Sequence, residues 1–183
     1  YPLFLEEIKE IVEYLIDHLY IKTFSIGSGL PDALEQYGCY TREDVFTIFG
    51  RQTAERRMQG SVAGAFNFEE YNTEAFFVTL NKSDADFSPS TQYDDYVISE
   101  YKFHWQSQNN DSHAGHGKRF VEQKKNKKKF LLFVREQKKD GFNNTCPFHC
   151  FGLVDYIRSY GDFPMNIEWK LQEPIMPQYL KSV

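Results

Sequence analysis

The sequence predicts an α+β domain in which a curved, mainly antiparallel β-barrel follows an N-terminal helical layer. Two observations carry this expectation. Apolar residues recur at helical spacing through Leu5, Ile8, Ile11, Val12, Leu15, Ile16 and Leu19, with Glu6, Glu7, Glu10 and Glu13 on the other face. After Gly60 the pattern changes to short runs rich in β-branched and aromatic residues, separated by turns containing Gly, Asn, Asp or Pro.

The first segment reads as a scaffold or connecting helix without chemistry of its own. SIGSGLPD, with Gly27, Gly29 and Pro31, marks a loop and lacks the lysine of a phosphate-binding loop. A second helix is expected near Pro31 and a third at Thr41, where Thr41 and Asp44 form a capping-box start and Gly50 a stop. The boundary near Gly60 divides the chain into a helical extension, 1–60, and a barrel domain, 61–183. Within the barrel, EAFFVTLN from Glu74 and KFLLFVREQ from Lys129 read as buried strands. FHCFGLVDYIRSY from Phe148 and MNIEWKLQE from Met165 supply two more, and Ile167, Trp169 and Leu171 alternate against Glu168 and Lys170. A further strand from Glu100 to Gln106 sets Tyr101, Phe103 and Trp105 against Lys102 and His104.

Composition narrows the class. With 41% hydrophobic and 17% aromatic residues, burial can offset chain entropy, so a folded domain is expected rather than disorder. No apolar run approaches the roughly 20 residues that cross a bilayer, which points to a soluble, cytoplasmic protein without a membrane partner. Cys39, Cys146 and Cys150 are too few for a disulfide scaffold. The chain opens at Tyr1 almost directly into the helical pattern, so it reads as a piece of a longer polypeptide.

The densest functional signal is SPSTQYDDYVISEYKFHWQSQ, Ser88 to Gln108. Aromatic faces stack a flipped base, and a carboxylate accepts from the exocyclic amine of cytosine. Tyr93, Asp94, Asp95 and Trp105 form the candidate pocket. For Tyr93 to meet Trp105 the chain must fold back between Tyr96 and Ser99, since one extended strand would hold them about 40 Å apart. The alternative is that these aromatics fill a core and the Asp pair makes a turn. Net charge is -5, yet Lys118 to Lys139 holds ten Lys or Arg against Glu122 and Glu136. That segment is either a phosphate-contacting element or a solvated face. Lys118, Arg119, Lys124, Lys125, Lys127 and Lys128 are its candidate backbone contacts, joined by Gln92, Ser107 and Gln108.

Other chemistries have weaker patterns. Glu100 and Lys102, with Asp84 or Asp86, imitate the Asp…Glu-x-Lys arrangement of magnesium-dependent nucleases, a spacing that charged strands produce by chance. Cys146 and Cys150 in an extended segment lie about 13 Å apart, too far to share a zinc ion without a turn at Pro147. His113 and His116 add a second, isolated pair. No metal, cofactor or catalytic residue is therefore expected.

TLNKSDADFSPSTQYDDYVISEYKFHWQSQ, KKFLLFVREQKKDGF and PMNIEWKLQEP together resemble the C-terminal domain of SauUSI-type modification-dependent restriction enzymes, roughly from Thr41 onward. Those bacterial proteins join a phospholipase-D-like nuclease to a superfamily II helicase. The resemblance implies an SRA/PUA-like barrel that flips 5-methylcytosine or 5-hydroxymethylcytosine out of duplex DNA. It further implies a non-enzymatic target-recognition domain of an ATP-dependent type IV restriction endonuclease, partnered by upstream helicase and nuclease domains and dimeric, if at all, through the parent protein. SRA domains place two stacking aromatics twelve positions apart, as Tyr93 and Trp105 stand, with an aspartate soon after the first. Here that position is Asp94 or Asp95, Tyr96 stands where the aspartate usually lies, and Thr91 and Gln92 replace glycines. Phe103 or Phe87 would meet the methyl group. A reader of modified RNA and a magnesium-dependent nuclease are the alternatives.

Overall fold

Strand pairs that are apolar on both faces organise the molecule. The computed structural model describes residues 2–19, 23–53, 55, 64–82 and 94–182. Its central strands, β5 (Thr73–Asn81) and β8 (Lys129–Gln137), run parallel, from Thr73 opposite Lys129 to Asn81 opposite Gln137. Phe76, Val78, Phe130, Leu132 and Val134 enter one core, and Ala75, Phe77, Leu131 and Phe133 enter another on the opposite face. A strand buried on both sides needs an almost continuous apolar run, which is how these two segments read.

The sheet runs β4-β5-β8-β9-β10-β7-β6, with β4 at Ala65–Phe68, β6 at Tyr96–Ser99, β7 at Lys102–Gln106, β9 at Phe148–Tyr160 and β10 at Asn166–Leu171. The short β3 (Cys39–Tyr40) pairs with β9 off this path, giving eight strands. All pairings except β5 with β8 are antiparallel. The expected α+β class is observed, but the expected barrel is corrected to a mixed sheet. Among the described residues no pairing joins the edge strands β4 and β6. The parallel pair arises because the chain crosses the sheet between 82 and 128, a connection that local patterns do not reveal.

The first core is filled by Trp105, Phe103, Trp169, Ile167 and Phe120 as the sheet curves around them. Register shifts at Leu132/Phe133 and Glu168/Trp169 assist the bend. Gly152 is required at one close approach: its φ is +79°, and a Cβ there would lie 1.9 Å from Gln36 Oε1. Gln36 Nε2 in turn donates to the Phe151 carbonyl.

At the N-terminus, α1 (Pro2–Leu19) has the expected helix, with Phe4, Leu5, Ile8, Ile11 and Val12 exposed. The expected capping box is present at α2 (Arg42–Ile48): Thr41 Oγ1 accepts from Asp44 N, and Asp44 Oδ2 accepts from Thr41 N. Pro31 starts no helix. It stands at a turn closed by Leu34 N donating to the Pro31 carbonyl, between β1 (Phe24–Ser25) and β2 (Glu35–Gln36). Leu34, Phe46 and Phe49 pack with Phe68 and Phe133 in the second core, so α2 belongs to the sheet's packing. The boundary near Gly60 lies outside the described residues.

Candidate functional site

The hairpin of β6 and β7 is where the sequence signal meets the structure. The chain does fold back, but at Glu100–Tyr101, so that Tyr96 opposes His104 and Val97 opposes Phe103. Lys102 follows directly, and its strand is held on its other side by β10. The fold-back brings the two aspartates against the end of β7.

They do different work there. Asp94 is exposed; its N–H donates to Gln106 Oε1 at 2.7 Å, and its carbonyl lies 2.7 Å from His104 Nδ1. A carbonyl only accepts, so Nδ1 carries the proton. The Asp95 carboxylate is 5% exposed, with Oδ1 accepting the Gln106 N–H at 3.0 Å and Oδ2 paired with Lys82 Nζ at 2.7 Å. Burial pushes the Asp95 carboxyl above its ordinary value, opposed by Lys82, the Gln106 N–H and His104.

Asp95 lines a cavity of about 120 Å³ together with Leu80, Tyr96, Val97, Glu136 and Tyr179. The volume is below the roughly 300–1,000 Å³ of ordinary ligand sites, so it suits a group no larger than one ring. Its walls come from the ends of β5 and β8, from β6 and from the C-terminal 3₁₀ turn, Pro177–Ser182. Of the two aspartates left open by the sequence, Asp95 is the one on the cavity wall.

Trp105 and Phe103 are not on that wall. Trp105 is 4% exposed, stacked on Phe76 at 4.2 Å and 21° and edge-on to Phe120, and Phe103 is fully buried. Their expected contact with a base is corrected to a core role, because the strand that delivers them lies over the phenylalanines of β5 and β8. Among the described residues the aromatic rings on the cavity wall are Tyr96, stacked on His104 at 4.4 Å, and Tyr179, whose hydroxyl lies 2.6 Å from His149 Nδ1. Sequence reasoning missed Glu136 and Tyr179, which have no local pattern and reach the cavity only through strand register and the C-terminal turn. Tyr93, Gln92 and Phe87 lie outside the described residues, as do Asp84 and Asp86.

The basic segment also separates. Lys118, Lys124, Lys125 and Lys127 are exposed around α3 (Lys118–Val121) and α4 (Gln123–Asn126). Arg119 turns inward: Nε lies 3.1 Å from Glu74 Oε2 and Nη1 2.9 Å from Asp111 Oδ1. Lys128 Nζ donates to Asn67 Oδ1 at 2.6 Å and lies 3.8 Å from Glu74. These two cations are committed to buried acids and are corrected from backbone contacts to interior partners. Ser107 is likewise buried, its hydroxyl accepting from Met165 N and donating to the Gln108 carbonyl. Gln108 is half-buried beside Asp111.

Glu100 sits exposed in the hairpin turn. Among the described residues no group of three or more His, Cys, Asp or Glu is placed to hold a metal ion. Burial pushes the Cys150 thiol up to about 12, far from a thiolate ligand. No helix among the described residues is long and apolar enough to cross a membrane.

The family model described as Domain of unknown function (DUF3427) matches residues 34–182. No curated protein matches the chain. Among solved structures the chain is similar to the 5-hydroxymethylcytosine-specific restriction enzyme AbaSI, at 16% identity and a TM-score of 0.47. The match covers 94% of this chain and 53% of that one, so the chain spans about half the length of that structure.

Proposed function

The chain belongs to the family described as Domain of unknown function (DUF3427), and we propose that it is a DNA-binding module that reads 5-methylcytosine or 5-hydroxymethylcytosine in duplex DNA. The observation that carries this reading is the buried Asp95 carboxylate on the wall of a one-ring cavity, beside Tyr96 and Tyr179. A base can reach such a group only by leaving the duplex, and a buried carboxylate accepts from the exocyclic amine of cytosine. Val97 and Leu80 supply the apolar wall for a methyl group. Exposed Lys118, Lys124, Lys125 and Lys127 supply sequence-independent phosphate contacts.

The resemblance of the motifs around Tyr93 and Lys129 to SauUSI-type enzymes supports a role as the target-recognition part of an ATP-dependent type IV restriction endonuclease. Cleavage and ATP hydrolysis then belong to other domains of that polypeptide. The test is a titration of matched duplexes carrying plain, methylated or hydroxymethylated cytosine. Preference for a modified duplex, reduced by roughly 1–3 kcal/mol in Asp95→Asn, is expected. Equal affinity for all three duplexes refutes the reading, and tighter binding of methylated RNA redirects it to RNA.

A further inference from the structure

The far end of β9 carries a cluster of side chains that do not line the Asp95 cavity. A register shift in its pairing with β10 sets Arg158 opposite Glu168 and Tyr156 opposite Trp169, passing over Ile157. The shift puts Tyr156 and Ser159 on one face, their hydroxyls 2.8 Å apart. His113, from the loop that follows β7, places its ring Nε2 2.7 Å from Ser159 Oγ and its Nδ1 2.9 Å from Asp162 Oδ1. Asp162 lies in the turn between β9 and β10, and its Oδ1 also accepts the His113 backbone N–H at 2.7 Å. Phe163 N, donating to the Asp111 carbonyl at 3.0 Å, ties the two loops a second time.

The atoms fix the order of donors. An ionised carboxylate only accepts, so Nδ1 carries a proton, and in the neutral ring Nε2 is then an acceptor facing Ser159. The Ser159 O–H donates to Nε2, which leaves the Tyr156 hydroxyl to donate to Ser159 Oγ. The His113 backbone N–H and ring hold the Asp162 carboxyl below its ordinary value, so it stays the accepting partner. A nucleophile hydrogen-bonded to a base that a carboxylate orients is the constellation that activates serine for acyl transfer, and it is recognised by geometry rather than by chain order. A clamp between the two loops would be complete with His113 and Asp162 alone. It has no need of a hydroxyl at Nε2 that a second hydroxyl holds in place.

We propose that Ser159, His113 and Asp162 form a nucleophilic site that takes the acyl group of an activated carboxylic ester onto Ser159 Oγ. Oγ bonds to the carbonyl carbon as its proton passes to His113 Nε2; the bond from that carbon to the leaving oxygen then breaks, and the leaving oxygen takes the proton. Water repeats both steps on the acyl-serine, releasing the carboxylic acid and restoring the Ser159 hydroxyl. Tyr156, the donor already at Oγ, is within reach of the carbonyl oxygen as that oxygen gains charge. Ser159 is half-buried and the His113 and Asp162 side chains are 39% and 44% exposed, so the fitting substrate is a small ester with a good leaving group. The site is independent of whether Asp95 reads modified cytosine. His113 lies 46 positions before Ser159 and 49 before Asp162, so local spacing does not disclose the set.

The test treats the full chain with para-nitrophenyl acetate, following nitrophenolate release, and with an alkyl fluorophosphonate, whose phosphorus bonds to a serine oxygen as fluoride leaves. Peptide mass spectrometry then maps the adduct. Ser159 should be labelled ahead of the exposed Ser25 and Ser28, and labelling should cease in urea, which separates residues that only the fold brings together. Ser159→Ala should remove the adduct and the nitrophenolate release it accounts for. His113→Gln should slow labelling by roughly 10²-fold or more, and Asp162→Asn and Tyr156→Phe by at least roughly tenfold. These substitutions change exposed or half-buried side chains, and an unchanged circular dichroism spectrum checks that each variant folds. Labelling of Ser159 no faster than of Ser25 and Ser28, labelling that survives urea, or an unchanged rate in folded His113→Gln overturns the inference and leaves the set as a clamp between two loops.

Discussion

Replacing Trp105 with alanine separates a core ring from a base-stacking ring, because the two roles predict opposite losses. The indole is 4% exposed, stacked on Phe76 at 4.2 Å, edge-on to Phe120 at 5.3 Å and 6.5 Å from Trp169. Deleting a buried Trp or Phe side chain costs about 3–5 kcal/mol, with the larger values where neighbours cannot collapse into the space. Here the neighbours are anchored on β5, α3 and β10, so the upper part of that range is expected. For a domain of this size each kcal/mol lowers Tm by about 2–4 °C, so Trp105→Ala should melt roughly 10–20 °C lower. Urea denaturation monitored by far-UV circular dichroism gives the free energy directly, provided the m-value is unchanged. Trp105→Phe keeps a ring against Phe76 and should lose distinctly less. A loss below about 1 kcal/mol in Trp105→Ala, together with abolished discrimination between modified and plain duplexes, would refute the core assignment.

Three further outcomes are expected. Asp95 has a folded pKa above its ordinary 3.8, so its contribution to stability is complete below that value and is lost as pH rises through the raised one; relative to Asp95→Asn, the wild type should therefore lose stability on going from acid to neutral pH, and a pH-independent difference in urea midpoints would contradict this. Arg119→Met leaves Glu74 and Asp111 buried without their bidentate partner, and because the arginine is itself 31% exposed the loss should be about 2–3 kcal/mol rather than the 3–5 of a fully buried pair; chemical denaturation checks it. Replacing Lys124, Lys125 and Lys127 together should change stability by no more than about 0.5 kcal/mol per site while reducing the salt slope of duplex binding by roughly 0.9 for each phosphate that is no longer neutralised. An unchanged slope would mark these lysines as a solvated face.

Much of the fold was legible because its causes are local. The capping box at Thr41 and Asp44 needs only residues three apart, and the apolar runs of β5 and β8 announce strands buried on both faces. The failures share a cause in distance. Nothing near Pro31 shows that it will stand in the turn joining β1 to β2, whose Gln36 is claimed by the Phe151 carbonyl 115 positions later. Arg119 reads as one more surface cation until Glu74, 45 positions earlier, comes beside it. Ser107 reads as a phosphate contact until Met165 N, 58 positions later, claims its hydroxyl. Within the candidate site a fold-back was expected between Tyr96 and Ser99 and occurs at Glu100–Tyr101, and the choice between Asp94 and the half-buried Asp95 was left open. The rings beside Asp95 were not anticipated, because alternation along β7 says which residues share a face without saying that this face is the filled one.

The place of the hairpin in the sheet sets an order on assembly. Among the described residues β6 pairs only with β7, and β7 gains its other neighbour only in β10, which begins at Asn166. An emerging chain therefore completes β5, β8 and β9 before the strand that locks Asp95 in register exists. The hairpin should be the last part of the sheet to acquire protection from hydrogen exchange during refolding, and the first to lose it when β10 frays. A substitution in β10 such as at Ile167, which does not line the Asp95 cavity, can then loosen the recognition hairpin without altering any residue on that cavity's wall.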